Sequence, residues 1–212
     1  MIIFDWDGTL CDSAGHIVHA LQAAAVEVGV AAPTDAAARD IIGLGLPQAL
    51  ARLFPQMAAA LREDMAAAYA RHYIASEEAP PALFPGALDL LTGLQARGRE
   101  LAVATGKSRR GLDRILAIHG LENVFHATRC ADETRSKPDP LMLHELLAER
   151  GVAHGDAIMV GDTEYDLEMA SNAGIASVGV SFGVHSAERL RAHRPVAIID
   201  TLSELLALPQ AR

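Results

Sequence analysis

The hydrophobic pattern of the chain changes period twice. Ile2-Ile3-Phe4 is a short unbroken apolar run that stops at Asp5-Trp6-Asp7-Gly8, two acids one residue apart followed by a turn signal. The run reads as a buried strand, which puts Asp5 and Asp7 at its carboxyl edge. From residue 13 to about 82 strand patterns vanish and helical spacing takes over. Ile17, Leu21, Ala24 and Val28 recur at helical intervals, with Ser13 as the expected N-cap and Gly29 as the stop. Leu61, Met65, Ala68, Tyr69 and His72 mark another helical face. Alanine clusters suit helices, Pro33 and Pro55 punctuate the stretch, and Glu77-Glu78-Ala79-Pro80-Pro81 reads as a hinge or linker.

From about residue 84 strands and helices alternate. The expected elements are a helix over 86–97, a strand over 101–105, a helix over 109–119 and a strand over 124–127. A helix over 139–150, a strand over 157–160, a helix over 163–173, strands over 175–180 and 196–199, and a closing helix complete the series. Such alternation predicts an α/β fold whose parallel sheet is covered by helices on both faces. Residues 1–12 rejoin this sheet across the helical insert, so 1–12 with 83–212 form the core domain and 13–82 an all-helical cap domain over the strand ends.

Composition narrows the function classes. The 212 residues, half of them hydrophobic, suffice for a folded core. A formal net charge of −9 and the lack of any long basic run argue against a nucleic-acid partner. No stretch approaches the roughly 18 uninterrupted apolar residues of a membrane span. Two cysteines, Cys11 and Cys130, are too few for a disulfide framework, which suggests a reducing, cytoplasmic setting.

Three later strand ends carry candidate chemistry. In Thr105-Gly106-Lys107-Ser108, Gly106 lets the backbone turn closely and Ser108 can cap the next helix, whose free N–H groups suit an anion. In Ser136-Lys137-Pro138, Pro138 holds Lys137 out of helical geometry and itself suits the first helical position. In Gly161-Asp162-Thr163-Glu164-Tyr165-Asp166, Asp162 follows a strand directly and Asp166 falls in the first helical turn, where it could equally form a capping pair with Thr163. Each taken alone also reads as ordinary turn chemistry. His16 and His19 share one helix face, on the side expected to face the site, but no third zinc ligand is evident. Gly43-x-Gly45 and Gly179-x-x-x-Gly183 are too sparse for a dinucleotide fingerprint.

In order, Asp5-x-Asp7-Gly8-Thr9, strand-Thr105-Gly106, Lys137-Pro138 and Gly161-Asp162-x-x-x-Asp166 resemble the four motifs of the haloacid dehalogenase-like (HAD) superfamily. The helical insert resembles its helical-cap subclass. The stretches 41–47 and 182–186 look most like phosphoglycolate phosphatase-type members. The resemblance implies a Rossmann-like core and an aspartyl-phosphate mechanism on a small phosphorylated metabolite. Asp5 would be the nucleophile and Asp7 the general acid, then base. Thr105, Gly106 and Lys137 would hold the phosphate. Mg²⁺ would bind Asp5, the Asp7 main-chain carbonyl and Asp162, with Asp166 a ligand through water or an acceptor behind the ligands.

Electrostatics asks for a cation on its own account. Like charges 4 Å apart cost about 4 kcal/mol at an effective dielectric near 20, and four clustered acids hold several such pairs. Crowding is expected to raise one carboxyl pKa, with Asp7 the natural candidate. Arg39, four residues before Gly43, is a candidate substrate contact on the cap, or else an exposed surface arginine. The competing functions are a 2-haloacid dehalogenase, which would need no acid at Asp7, a phosphomutase, and a non-catalytic binding protein. The protein is expected to act as a monomer or homodimer.

Overall fold

The computed structural model describes residues 1–75 and 80–209, so Glu77-Glu78-Ala79 of the expected linker lie outside the described residues. Among the described residues one sheet contains β1 (Ile2–Phe4), β2 (Leu101–Thr105), β3 (Ala127–Cys130), β4 (Ile158–Gly161), β5 (Ala176–Val180) and β6 (Ala197–Ile199). All pairings are parallel, in the order β3-β2-β1-β4-β5-β6. The order reverses direction at β1, and the loops after β1 and β4 therefore flank the crevice where open α/β sheets bind ligands.

Helices α1 (Ala14–Glu27), α2 (Asp35–Asp40), α3 (Leu46–Leu53) and α4 (Ala59–Ala75) form the insert. Helices α5 (Ala87–Ala96), α6 (Arg109–His119), α7 (Leu141–Arg150), α8 (Glu164–Ala173) and α9 (Ala187–Arg191) belong to the α/β part. Successive residues of a strand face opposite sides. Ile2 and Phe4 accordingly pack with Leu90, Leu94, Leu112 and Ile115 of α5 and α6. Ile3 packs on the other face with Met142, Leu146, Met169 and Ala170 of α7 and α8. Covered on both faces, β1 is apolar without alternation, which is why it reads as a continuous run.

Two expectations need correction. The third strand lies at 127–130, not 124–127, because β3 is the sheet edge and only half buried. It carries Thr128, which accepts from Arg109, and Arg129, which pairs with Glu145 and Glu149 of α7, while apolar Val124 and Phe125 pack against the core from the preceding turn. The closing helix is a short 3₁₀ stretch, Leu202–Ala207, and the five-residue α9 was not anticipated.

The insert has an apolar cluster of its own, including Ile17, Leu21, Ala24, Leu50, Met65 and Ala68. The chain passes into and out of it along one ladder: the Asp12 N–H donates to the Ala82 carbonyl (2.8 Å) and the Phe84 N–H to the Leu10 carbonyl (2.9 Å). The insert is thus rooted in the loop that follows β1 and covers the strand ends. Leu50, 1 % exposed, fills the centre of this cluster. Leu50→Ala is expected to destabilise the protein by about 2–5 kcal/mol, measured by urea unfolding.

Candidate active site

The parallel sheet places every strand's carboxyl end on the same edge. Asp5 follows β1, Asp162 follows β4, and Asp166 sits in the first turn of α8. Each of these three offers a carboxylate oxygen within 4.8 Å of the others, and all three are buried. Lys137, from the loop after β3, lies among them. Its Nζ donates to Asp5 Oδ1 (2.5 Å) and Asp166 Oδ1 (2.6 Å). The motifs separated by more than a hundred residues in sequence therefore meet at one point.

Each acid is held by specific donors. Thr9 Oγ1 donates to Asp162 Oδ1 (2.9 Å) and the Val184 N–H to Asp162 Oδ2 (2.8 Å). The backbone closes around this carboxylate: a Cβ at Gly8 (φ +88°) or at Gly183 would come within 2.2 Å of the Asp162 side chain. Asp166 Oδ2 accepts from the Thr163 N–H (3.1 Å) and hydroxyl (2.7 Å). Asp166 thus completes the capping pair with Thr163 and pairs with Lys137 at once. Asp5 Oδ2 is buried and has no hydrogen-bond partner.

Asp7 is held separately. The Ser13 hydroxyl donates to its Oδ1 (2.5 Å), and Lys107 Nζ lies 2.9 Å from the same oxygen. Lys107 also donates to the Tyr73 hydroxyl of α4 (3.1 Å) and sits over that ring. Thr105 ends β2 beside β1, and its Oγ1 accepts from the Lys107 N–H (3.2 Å). Ser108 caps α6 as expected by accepting from Gly111. Gly106 lies directly beneath the insert, for a Cβ there would meet the Leu44 and Gly43 carbonyls at 2.6 and 2.7 Å.

The acids sit in a strained electrostatic balance. Burial pushes the Asp5 carboxyl well above its ordinary range; Lys137 opposes this, while Asp166, Asp162 and Asp7 add to it. Burial, reinforced by Asp166, pushes Asp162 up to about 7. Burial and the crowding of acids thus act together on Asp5 and Asp162. Burial works against the Lys107 charge, yet Asp7 and Tyr73 hold its ammonium well above the ordinary lysine range. Lys137 is likewise kept charged by Asp166 and Asp5 against its burial.

The comparisons with known proteins match this geometry. Residues 2–180 match the family model described as haloacid dehalogenase-like hydrolase. The chain belongs to this family. The hydrolase is 34 % identical over 218 residues to "Probable phosphatase IndB" of Dickeya dadantii, covering 100 % of this chain and 94 % of that one. It is 31 % identical to a phosphoglycolate phosphatase of Vibrio parahaemolyticus, covering 97 % and 94 %. A solved haloacid dehalogenase-like hydrolase from Streptococcus pneumoniae superposes with a TM-score of 0.84 at 26 % identity, covering 97 % and 96 %. The hydrolase is a phosphatase of this family, similar to phosphoglycolate phosphatases.

Several expectations about individual residues are corrected. Of the two readings of Arg39, the exposed surface arginine agrees with its position on α2, and it does not line the cavity beside Asp7. His16 and His19 do not line that cavity either; Ile17 and Leu21 do, and His19 is exposed on the outer side near Glu27 and His72. Among the described residues the acidic trio is the one potential metal cluster, so the histidine pair gains no third ligand. Ser13 precedes α1 but caps nothing, since its hydroxyl is committed to Asp7. Pro138 does not open a helix: α7 begins at Leu141, with Pro140 before it. Cys11 and Cys130 are buried free thiols. No helix among the described residues is long and apolar enough to cross a membrane.

Sequence reasoning did not assign roles to Thr9, Lys107 or Val184, and gave Ser13 only a helix-capping role. Thr9 and Lys107 lie within the quoted motifs and were within reach. The Ser13 bond to Asp7 and the Val184 N–H carried no sequence signal.

The sign of the Asp162 effect is testable. Its folded pKa of about 7 exceeds the ordinary 3.8, so its contribution to stability is fully present below pH 3.8 and is lost as pH rises through 7. The displacement corresponds to at most about 4 kcal/mol. Metal-free Asp162→Asn is expected to melt above the wild type at pH 8, with the gap shrinking toward pH 5, as read by calorimetry.

Proposed function

We propose that the hydrolase is a Mg²⁺-dependent phosphomonoesterase acting on a small phosphorylated metabolite through an aspartyl-phosphate at Asp5. One observation carries this reading. Asp5 has one oxygen held by Lys137 and the other buried without a partner, and its carboxylate offers an oxygen within 4.8 Å of those of Asp162 and Asp166. A buried polar atom with no partner is costly, so that oxygen is reserved for something that arrives.

The donor set fits a hard divalent cation, which prefers carboxylate oxygens. Asp5, Asp162 and Asp166 would hold it, with the Asp7 main-chain carbonyl added by the family resemblance. When bound, Mg²⁺ supplies charge neutralisation for the acids and the phosphoryl oxygens.

The chain's own residues supply the rest. Lys137 fixes the Asp5 carboxylate and contributes positive charge where the phosphoryl group docks. Thr105 and the N–H groups at Gly106 add donors from the neighbouring strand end. The Asp5 carboxylate attacks phosphorus, an Asp–O–P bond forms, and the ester P–O bond breaks. Asp7 gives its proton to the departing alkoxide oxygen. Asp7 then takes a proton from the water that attacks the aspartyl-phosphate, releasing inorganic phosphate and restoring Asp5. Ser13 and Lys107 orient Asp7 for both steps. The insert, residues 13–82, serves as a cap that excludes water and selects the leaving group.

The similarity to phosphoglycolate phosphatases makes 2-phosphoglycolate the first substrate to try. The buried thiols and the absence of a disulfide between them fit the cytoplasm. Asp5→Asn is expected to reduce phosphate release to background in a malachite-green assay, and excess chelator to do the same to the wild type. Asp7→Asn is expected to lower kcat by about 10²–10⁴-fold. Undiminished turnover by Asp5→Asn, or in chelator, would defeat the proposal.

A further inference from the structure

The geometry points to a leaving group with an apolar, ring-sized body, an inference that rests on the phosphatase reading and adds a substrate class to it. A cavity of about 220 Å³ lies between the insert and the core. Asp7 lines it and Asp5 does not. A proton donor must lie within hydrogen-bond reach of the atom it protonates. The alcohol end of the substrate therefore runs from Asp7 into this cavity, while its phosphoryl end stays at Asp5.

The walls define what the alcohol can be. The insert contributes Ile17, Leu21, Ile41, Ile42, Leu44 and Ile74 among others, and no charged side chain among the described residues. Its polar side chains there are Tyr69 and Tyr73, and the Tyr73 hydroxyl already accepts from Lys107. Lys107, the nearest core cation, is committed to Asp7. Arg110 and Arg114 of α6 also line the cavity, and Arg110 is solvent-exposed. A small hydroxyl-rich alcohol would lose water here and find few partners. An apolar body would be matched on most sides.

Size agrees with this. An apolar cavity of about 150 Å³ accommodates a benzene molecule, so this one takes a six-membered ring with a short linker. Glycolate, two carbons and a carboxylate, would leave most of it unfilled. Ile74 also gains a reason: it is a large hydrophobic residue, 37 % exposed, and it faces this space from α4.

The test compares kcat/KM, with Mg²⁺ present, for 2-phenylethyl phosphate, 2-phosphoglycolate and acetyl phosphate. The phenylethyl ester is expected to exceed phosphoglycolate by at least about tenfold. Ile74→Asn, at a position tolerant of a polar residue, is expected to raise KM for the phenylethyl ester by about five- to tenfold and to lower its kcat/KM relative to acetyl phosphate. Phosphoglycolate equal to or better than the phenylethyl ester would overturn the apolar leaving group and leave the phosphatase reading standing, with Arg110 and Arg114 as the carboxylate's partners. An unchanged substrate ratio in Ile74→Asn would overturn it too. Failure to hydrolyse even acetyl phosphate, whose leaving group scarcely enters the cavity, would remove the phosphatase reading and this inference with it.

Discussion

The site depends on one electrostatic constraint: three buried acids share a space that contains one buried ammonium. Lys137 bridges Asp5 and Asp166, and Asp162 completes the trio without touching it. At about 4 kcal/mol per like-charged pair at 4 Å, a single cation cannot balance three carboxylates. The imbalance is visible in Asp5 and Asp162, whose protonated forms are favoured by burial and by their neighbours. A fold selected only for stability would replace one of these acids. Their presence together, each gripped by its own donors, is the imbalance that the proposed Mg²⁺ would offset.

Topology makes the convergence possible without long connections. In a parallel sheet all carboxyl ends share one edge, and at the point where strand order reverses two neighbouring loops diverge and leave a crevice. β1 sits at that point with β2 and β4 on either side. Asp5, Thr105 and Asp162 are each placed by the end of one of these strands. The insert springs from the β1 loop itself, so the same turn that presents Asp7 also launches the helices that cover it. Ser13 ties the two together: it is the residue before α1, and its hydroxyl is spent on Asp7 rather than on the helix.

What the sequence made legible follows from burial. β1, β2 and α6 are readable because strands sealed on both faces, and an amphipathic helix between a serine cap and a glycine stop, leave unambiguous patterns. β3 is misplaced by three residues because this edge strand carries polar Thr128 and Arg129, whose partners lie on the adjoining helices α6 and α7. The four motifs are readable because each is a local turn with an odd residue in it. The Ser13–Asp7 and Val184–Asp162 bonds are not, since one uses an unremarkable serine and the other a backbone N–H. Arg39 takes the second of its two readings, exposed on the outer face of α2, while its neighbour Asp40 is the residue that contacts the core.

Asp40 leads to how the insert is held. Arg189 Nη1 donates to Asp40 Oδ1 (2.6 Å) and its Nη2 to Glu164 Oε1 (2.6 Å), so α9 links α2 of the insert to α8 of the core. The Tyr165 hydroxyl donates to the Asp40 carbonyl (2.7 Å), and the Gly45 N–H donates to Ser136 Oγ (2.8 Å). These attachments are polar and several are part exposed, a class worth little individually. The apolar clusters, by contrast, stay within their own layers: that of the insert gathers residues 14–73 and receives little more from the core than Val184. The insert and the α/β part thus keep separate apolar clusters and meet largely through hydrogen bonds and ion pairs. The contacts nearest the chemistry, Lys107 to Tyr73 and Gly106 under the 43–44 carbonyls, cross between insert and core, which ties the placement of Lys107, and through it Asp7, to the position of the insert.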